Sequence, residues 1–211
     1  MAETIIDSLY NEFTDLLKFL DDAKEISLRS TVDTTFKKTL ALSAASYFED
    51  ELRNLLLRFV DEKSNSNELL INLVRNKAIA RQYHTFFDWR GKNANSFFSL
   101  FGDEFRQSAI EDVKEDDELG ESIKAFLDLG NTRNELAHLN FANMELNKTA
   151  EEVYGQFKNA QRFLEYIGKK LNEFNKNGES GKERLFSSPP HTTLHAGPHR
   201  AVHEDYRAVA G

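Results

Sequence analysis

The sequence predicts an all-α protein built as a helical bundle, and three observations lead to this fold class. The three prolines lie at positions 189, 190 and 198, so residues 1–188 contain none, and a helix interior tolerates proline least of all residues. Apolar residues recur every three or four positions in successive segments, as on the buried face of a helix. Polar turns such as KSNSN separate these segments. With 211 residues and 17 Phe, the chain suffices for one compact domain.

Three helices are predicted in the first half of the chain. Segment 33–62 predicts the second helix, and segment 67–82, after the KSNSN turn, predicts the third. Segment 4–24 predicts the first helix because its apolar residues follow helical spacing: Ile5, Ile6, Leu9, Phe13, Leu16, Leu17 and Leu20.

The middle of the chain is rich in aromatic residues. The stretch YHTFFDWRGKNANSFFSLFG predicts a loop and then a helix that begins near residue 93 or 103 and ends near residue 114. The acidic stretch EDVKEDDEL leads into the next predicted helix, at about 117–140, because acidic residues favour a helix N-terminus.

The last helix has the clearest signals. Thr149 and Glu152 match the capping box that begins many helices. An apolar seam follows, and it has two interpretations. It could pack in the core of a helical bundle, or it could bind another protein if the chain is a structural adaptor. The seam consists of Val153, Phe157, Ala160, Leu164, Ile167, Leu171 and Phe174.

Residues 177–211 differ in character from the rest, and we expect a disordered tail there, either natural or derived from cloning. Four histidines recur every fourth residue, which on a helix would form a metal-binding stripe, but Gly197 and Pro198 interrupt such a helix. We therefore predict two regions: a helical domain at 1–176 and a tail at 177–211.

Composition excludes several classes of protein. The absence of cysteine excludes disulfides, Cys-zinc sites and thiol nucleophiles. The N-terminus is acidic and no apolar run reaches the length of a membrane span, so we expect a soluble, cytoplasmic protein. A net charge of −8 argues against a protein that coats nucleic acid, although a local site could still contact a few phosphates.

The segment FLDLGNTRNELAHLNF places Arg133, Asn134 and His138 near the end of an otherwise apolar helix. The other two Arg-Asn pairs, at 53–54 and 75–76, have no histidine five residues after the arginine. On a helix, Asn134 and His138 lie side by side, whereas Arg133 and His138 are about 140° apart. These residues suit either the polar end of a helix or an active site, and the sequence alone leaves both open.

A stripe with small residues in its middle runs along this helix, where another helix of the same chain or of a symmetry mate could pack. In an isologous dimer, two Arg-Asn-His sets would then share a composite cleft. Two imidazoles suit RNA cleavage, because one takes a proton from the 2′-hydroxyl and the other protonates the leaving 5′-oxygen. This chemistry requires neither metal nor cofactor, and we predict neither. The stripe consists of Ile123, Leu127, Gly130, Asn134, Ala137 and Phe141.

The segment TRNELAH, following FLDLGN in an all-α chain, resembles the signature of the HEPN superfamily, and the similarity is greatest to the RiboL-PSP-HEPN-like group. The resemblance covers most of residues 1–175, including SAASYFEDEL and DWRGKNANSFFSLFG. It implies a HEPN-type helical bundle with additional helices, commonly dimeric with the two motifs facing each other.

The resemblance also implies roles for individual residues. It assigns Arg133 and His138 to catalysis and Asn134 to their support. It matches Glu49, in SYFEDEL, to an acidic residue that supports the site from an earlier helix, although a carboxylate there could also be an ordinary solvated group.

The aromatic stretch offers candidates for RNA binding. Arg90, Lys92 and Asn93 could contact phosphates. Its large aromatic side chains could either stack on a base or pack in the core; they are Trp89, Phe97 and Phe98.

For the whole protein, the resemblance implies a metal-independent endoribonuclease of a toxin–antitoxin or antiviral defence system, acting on RNA as a homodimer and controlled by an antitoxin protein. The alternative is a non-catalytic HEPN module that binds RNA, a nucleotide or a partner protein. HEPN toxins silenced by a nucleotidyltransferase carry a Tyr two residues after the motif His. This chain has Asn140 there, so the resemblance does not imply that form of control.

Overall fold

The computed structural model describes residues 3–139 and 141–178, and over these residues the chain forms seven α-helices and no strand. The predicted all-α fold class is confirmed. A π-helical turn, Arg75–Ile79, and a 3-10 turn, Tyr83–Thr85, lie between the third and fourth helices. The α-helices are α1 Ile5–Asp22, α2 Ile26–Lys63, α3 Glu68–Val74, α4 Asn95–Ser99, α5 Asp103–Glu115, α6 Asp117–His138 and α7 Ala150–Gly178.

The predicted third helix, at 67–82, is too long. Its regular part, α3, ends at Val74, and the chain then widens into the π-helical turn. Arg81, with φ of 62°, adopts the left-handed backbone that cannot continue a helix. The apolar spacing continues through this region, which is why the sequence does not reveal the break.

The aromatic region forms two helices, whereas the sequence predicted one that begins near residue 93 or 103. The short helix α4 begins at Asn95 and α5 begins at Asp103. Gly102 joins them with a φ of 96°, a conformation that favours glycine.

The core lies between α2, α6 and α7, and the aromatic segment packs against it. The α7 seam faces this core: Phe157, Ala160 and Ile167 are completely buried, and Leu171 is nearly so. This burial favours the bundle interpretation. The adaptor interpretation would require an accessible seam, and these positions are not accessible to a partner. The aromatic centre of the core comprises Phe48, Phe87, Phe97, Phe126, Phe157 and Phe163.

Gly130, in the small-residue stripe of α6, receives an aromatic ring. A Cβ atom at Gly130 would lie 2.0 Å from Cζ3 of Trp89. Within the described chain, the space that the stripe provides at this point is filled by the indole of Trp89 in residues 83–94, called the aromatic loop below. The expected close approach of a helix is not seen there. This packing holds the loop against the last turns of α6.

Helix α7 extends to Gly178, two residues beyond the predicted domain boundary. The rest of the tail, with its four histidines, lies outside the described residues, so the two-region division stays a prediction. Among residues 3–139 and 141–178, no helix combines the length and apolar character that a membrane span requires.

Candidate active site

The Arg-Asn-His motif occupies the last turns of α6. Asp116 caps the start of the helix, since its side chain accepts a hydrogen bond from the Leu119 amide at 2.9 Å. The helix ends at His138, because Leu139 has an extended backbone. Arg133 and Asn134 are half-buried, whereas His138 is exposed at the helix end.

Two side chains hold the Arg133 guanidinium. One nitrogen, Nη1, donates to Oδ1 of Asn134 at 3.1 Å, and the other, Nη2, lies 3.5 Å from Oε2 of Glu49 on α2. The Arg133 and Glu49 side chains are 36% and 25% exposed. The structure thus brings together Arg133, Asn134 and Glu49, all three singled out in the sequence. The contact between Arg133 and Glu49 is long for a hydrogen bond, and both side chains are partly exposed to solvent.

A buried tyrosine, Tyr83, interacts electrostatically with both members of this pair. Burial raises the pKa of Tyr83 far above its ordinary value, the charge of Glu49 raises it further, and the charge of Arg133 opposes these effects. The phenol therefore stays neutral at any working pH and is unsuited to act as a general base.

A cleft of about 880 Å³ opens between the end of α6 and the aromatic loop. Arg133, Asn134 and His138 all line it, although five residues on an ideal helix separate Arg133 and His138 by about 140°. The other wall is formed by loop residues 84 and 87–90. The chain that follows the motif is anchored by the buried Lys38 of α2, which donates to the Phe141 carbonyl at 2.9 Å.

The three RNA-binding candidates are placed differently. Arg90 lines the cleft and also a second groove of about 750 Å³ on the other side of Trp89, which Lys92 lines as well. Asn93 lines neither groove, and its Oδ1 accepts from the Asn95 amide at 3.1 Å.

The aromatic candidates for base stacking are mostly core residues. Phe97 and Phe98 are 0% and 1% exposed, so they cannot stack on a base. Trp89 is half-buried and lines both grooves, while its Nε1 donates to the His84 carbonyl at 2.9 Å. Of these three aromatic side chains, only Trp89 has a surface that a ligand could reach.

The charges of the cleft are balanced. The cations Arg90 and Arg133 are matched by the carboxylates Asp88 and Glu135. The cleft therefore suits contact with one or two phosphates at defined positions better than the tracking of a long polyanion. In the described part of the chain, no group of three or more His, Asp or Glu side chains is placed to hold a metal ion.

His84 is one of the cleft residues that sequence reasoning missed. It precedes the motif by about fifty positions and belongs to no recognisable pattern. Only the folding of the aromatic loop against Gly130 brings it to the end of α6.

Comparison with known proteins gives one result. A protein-family model described as RiboL-PSP-HEPN matches residues 7–173. The match runs from α1 into α7 and includes both walls of the cleft. No curated protein and no solved structure shows significant similarity to the chain.

Proposed function

Because the chain belongs to the RiboL-PSP-HEPN family, we propose that it is a metal-independent endoribonuclease that cleaves RNA by 2′-hydroxyl transesterification. Family membership supports an RNase or an RNA-related module. The observation that carries the finer proposal is the presence of Arg133, Asn134 and His138 in one open cleft, with Glu49 behind the guanidinium.

His138 is proposed to transfer a proton. An imidazole changes its protonation near neutral pH and can act as either base or acid in this reaction. Its position at the exposed end of α6 leaves the ring accessible to a ribose or a leaving oxygen.

Arg133 is proposed to bind the scissile phosphate. Negative charge builds on the non-bridging oxygens as the 2′-oxygen attacks, and a guanidinium in place stabilises that charge. Asn134 and Glu49 would orient the guanidinium, because both contact its nitrogens. The long Glu49 contact and the exposure of the pair leave room for a phosphate to approach.

The RNA strand is proposed to cross the ridge that Trp89 and Arg90 form between the two grooves. Arg90 contacts both grooves and Lys92 lines the second, so each could pair with a phosphate that flanks the scissile one. Asn93, exposed on the same loop, would contact RNA only beyond the grooves.

The proposed biological unit is a homodimer of the 1–176 domain in which the two clefts face each other. Leu139, 58% exposed at the rim of the cleft, is an apolar contact that such an arrangement would cover. The proposed role is that of a cytoplasmic toxin or defence enzyme, with an antitoxin protein as a further partner.

The test incubates the protein with total RNA in excess EDTA and analyses the new ends. We expect fragments with 2′,3′-cyclic phosphate and 5′-hydroxyl ends from the parent protein and none from His138→Ala. The control is Arg53→Ala, which alters the arginine of another Arg-Asn pair outside the cleft and should cleave like the parent.

Two results would contradict the proposal. Equal cleavage by the parent and His138→Ala would place the activity elsewhere or in a contaminant. Intact RNA with every protein, together with tight binding of RNA or a nucleotide that Arg133→Ala weakens, would support the non-catalytic module instead.

A further inference from the structure

We propose that His84 is the second proton-transfer residue of the cleft, so that one chain supplies both imidazoles for RNA cleavage. This inference rests on the proposed ribonuclease function. It differs from the expectation of a composite site, in which the second imidazole comes from a symmetry mate.

The two histidines belong to opposite walls of the same cleft. His138 ends α6, and His84 lies in the 3-10 turn Tyr83–Thr85 of the aromatic loop. In an in-line displacement at phosphorus, the attacking 2′-oxygen and the leaving 5′-oxygen stand on opposite sides of the phosphate. A base and an acid are therefore needed on opposite sides, which is what the two walls provide.

The backbone at His84 is fixed although its side chain is exposed. Its carbonyl accepts the Trp89 Nε1 hydrogen at 2.9 Å, and Trp89 is itself packed against Gly130 of α6. The preceding residue, Tyr83, is buried in the core. This anchoring ties the backbone of the loop wall to the motif helix, as a preorganised site requires.

The proposed step balances with these residues alone. One imidazole takes the proton of the 2′-hydroxyl as the bond from the 2′-oxygen to phosphorus forms. The other, as imidazolium, gives its proton to the 5′-oxygen as the bond from phosphorus to that oxygen breaks. The products are a 2′,3′-cyclic phosphate and a 5′-hydroxyl, and Arg133, which lines the same cleft, would bind the phosphate.

The test compares His84→Gln and His138→Gln on a short RNA that contains the parent's mapped cleavage site. A second RNA carries sulfur in place of the 5′-oxygen at that linkage. A thiolate leaves without being protonated, because thiol pKa values are near 8.5. On the oxygen substrate, we expect each variant to lose at least about 100-fold in kcat/KM. On the sulfur substrate, the variant that lacks the acid should return to within about threefold of the parent, whereas the other should remain slow.

The controls separate this inference from the proposed function. His191→Gln makes the same chemical change outside the described residues and should leave both rates unchanged. Circular dichroism and urea unfolding of His84→Gln should match the parent, since its side chain is exposed.

Three outcomes would contradict the proposals. If the parent cleaves RNA and the kcat/KM of His84→Gln is within about threefold of the parent's, the role of His84 alone is overturned. Loss in both variants without sulfur rescue of either would overturn the division of acid and base. A parent that does not cleave RNA would overturn both proposals.

Discussion

Among the described residues, two ion pairs join an acidic side chain on α1 or α2 to a basic side chain on α6 or α7. Asp7 of α1 meets Lys158 of α7 at 3.1 Å, and Glu49 of α2 meets Arg133 of α6 at 3.5 Å. Asp7 is only 6% exposed and receives further hydrogen bonds, at 2.6 Å from Tyr154 and at 2.7 Å from the Thr4 amide.

The contrast teaches which of two similar pairs is available for chemistry. The carboxylate of Asp7 is surrounded by donors, so its hydrogen-bonding capacity is used within the fold. Within the described part of the chain, the guanidinium of Arg133 has one close hydrogen-bond partner, Asn134, and a more distant one, Glu49, and it borders a cleft. We infer that the first pair stabilises the protein and the second serves a ligand.

The largest expected effect is on the activity at the second pair. Arg133→Ala should reduce kcat/KM for RNA about 10²–10³-fold, because a guanidinium placed at the developing charge is lost. Arg133→Lys should recover only part of the activity, since an ammonium lacks the forked donor geometry. Midpoints of urea unfolding should change little in either variant. A large loss of stability in both would show that this pair, too, is structural.

The next largest effect is on stability at the first pair. Asp7→Ala should lower the free energy of unfolding by about 3 kcal/mol, because it removes a buried carboxylate and leaves its donors without an acceptor. The matched control is Asp15→Ala on the exposed face of the same helix, which should change stability by less than about 0.5 kcal/mol. Urea unfolding at neutral pH measures both. Equal effects would remove the distinction between the pairs.

The pH dependence of stability sharpens the same comparison. Burial alone would raise the pKa of Asp7, but the hydrogen bonds from Tyr154, Thr4 and Lys158 outweigh it and hold the pKa well below the ordinary 3.8. A lowered pKa contributes stability that is complete above the unfolded-state pKa and is lost as the pH falls below it. The difference in unfolding midpoint between the parent and Asp7→Asn should therefore be largest at neutral pH and should shrink towards pH 2. Asp116, whose pKa is also lowered, affects both proteins alike and cancels in this difference.

Sequence patterns predicted most of the fold because each helix has a repeating apolar face. The α7 seam is the best case, since every position predicted to pack is buried or packed against the core. The π-helical turn at Arg75–Ile79 could not be predicted, because it changes the backbone without interrupting the apolar pattern.

The candidate site was predictable only in part. The motif of α6 is local in sequence, and its three residues do line one cleft. The contact between Glu49 and Arg133 joins residues 84 positions apart and was expected only from the family resemblance. The place of His84 depends on how Trp89 packs on Gly130, and no spacing rule encodes such a contact.

A pair of glycine variants tests whether Trp89 sets the wall of the cleft. Gly130→Ala would place a methyl group 2.0 Å from the Trp89 ring, so we expect a loss of about 2 kcal/mol in stability, as for other overpacked sites. Gly155→Ala on α7 meets nothing within 4 Å and should stabilise the protein by about 0.5–1 kcal/mol, because it reduces the freedom of the unfolded chain. Thermal unfolding distinguishes the two. If Gly130→Ala is as stable as Gly155→Ala, the indole does not hold the loop against α6.

The smallest effect separates positioning from catalysis at Glu49. Glu49→Gln keeps the shape of the side chain but removes the charge that faces Arg133, so the guanidinium is held less firmly. We expect kcat to fall about tenfold while KM stays unchanged or decreases, because a phosphate no longer competes with a carboxylate for the same cation. Stability should change by less than about 1 kcal/mol, as is usual for an ion pair open to solvent.

The control for Glu49→Gln is Glu51→Gln, the same change two residues later on α2, where the side chain borders a different groove beside Tyr47. It should leave both kinetic constants as they are. If Glu49→Gln raises KM with kcat intact, Glu49 contributes to substrate binding and does not orient Arg133. If Glu49→Gln lowers stability as much as Asp7→Asn, the Glu49–Arg133 contact is as structural as the Asp7–Lys158 contact. The longer distance between Glu49 and Arg133 would then have no functional meaning.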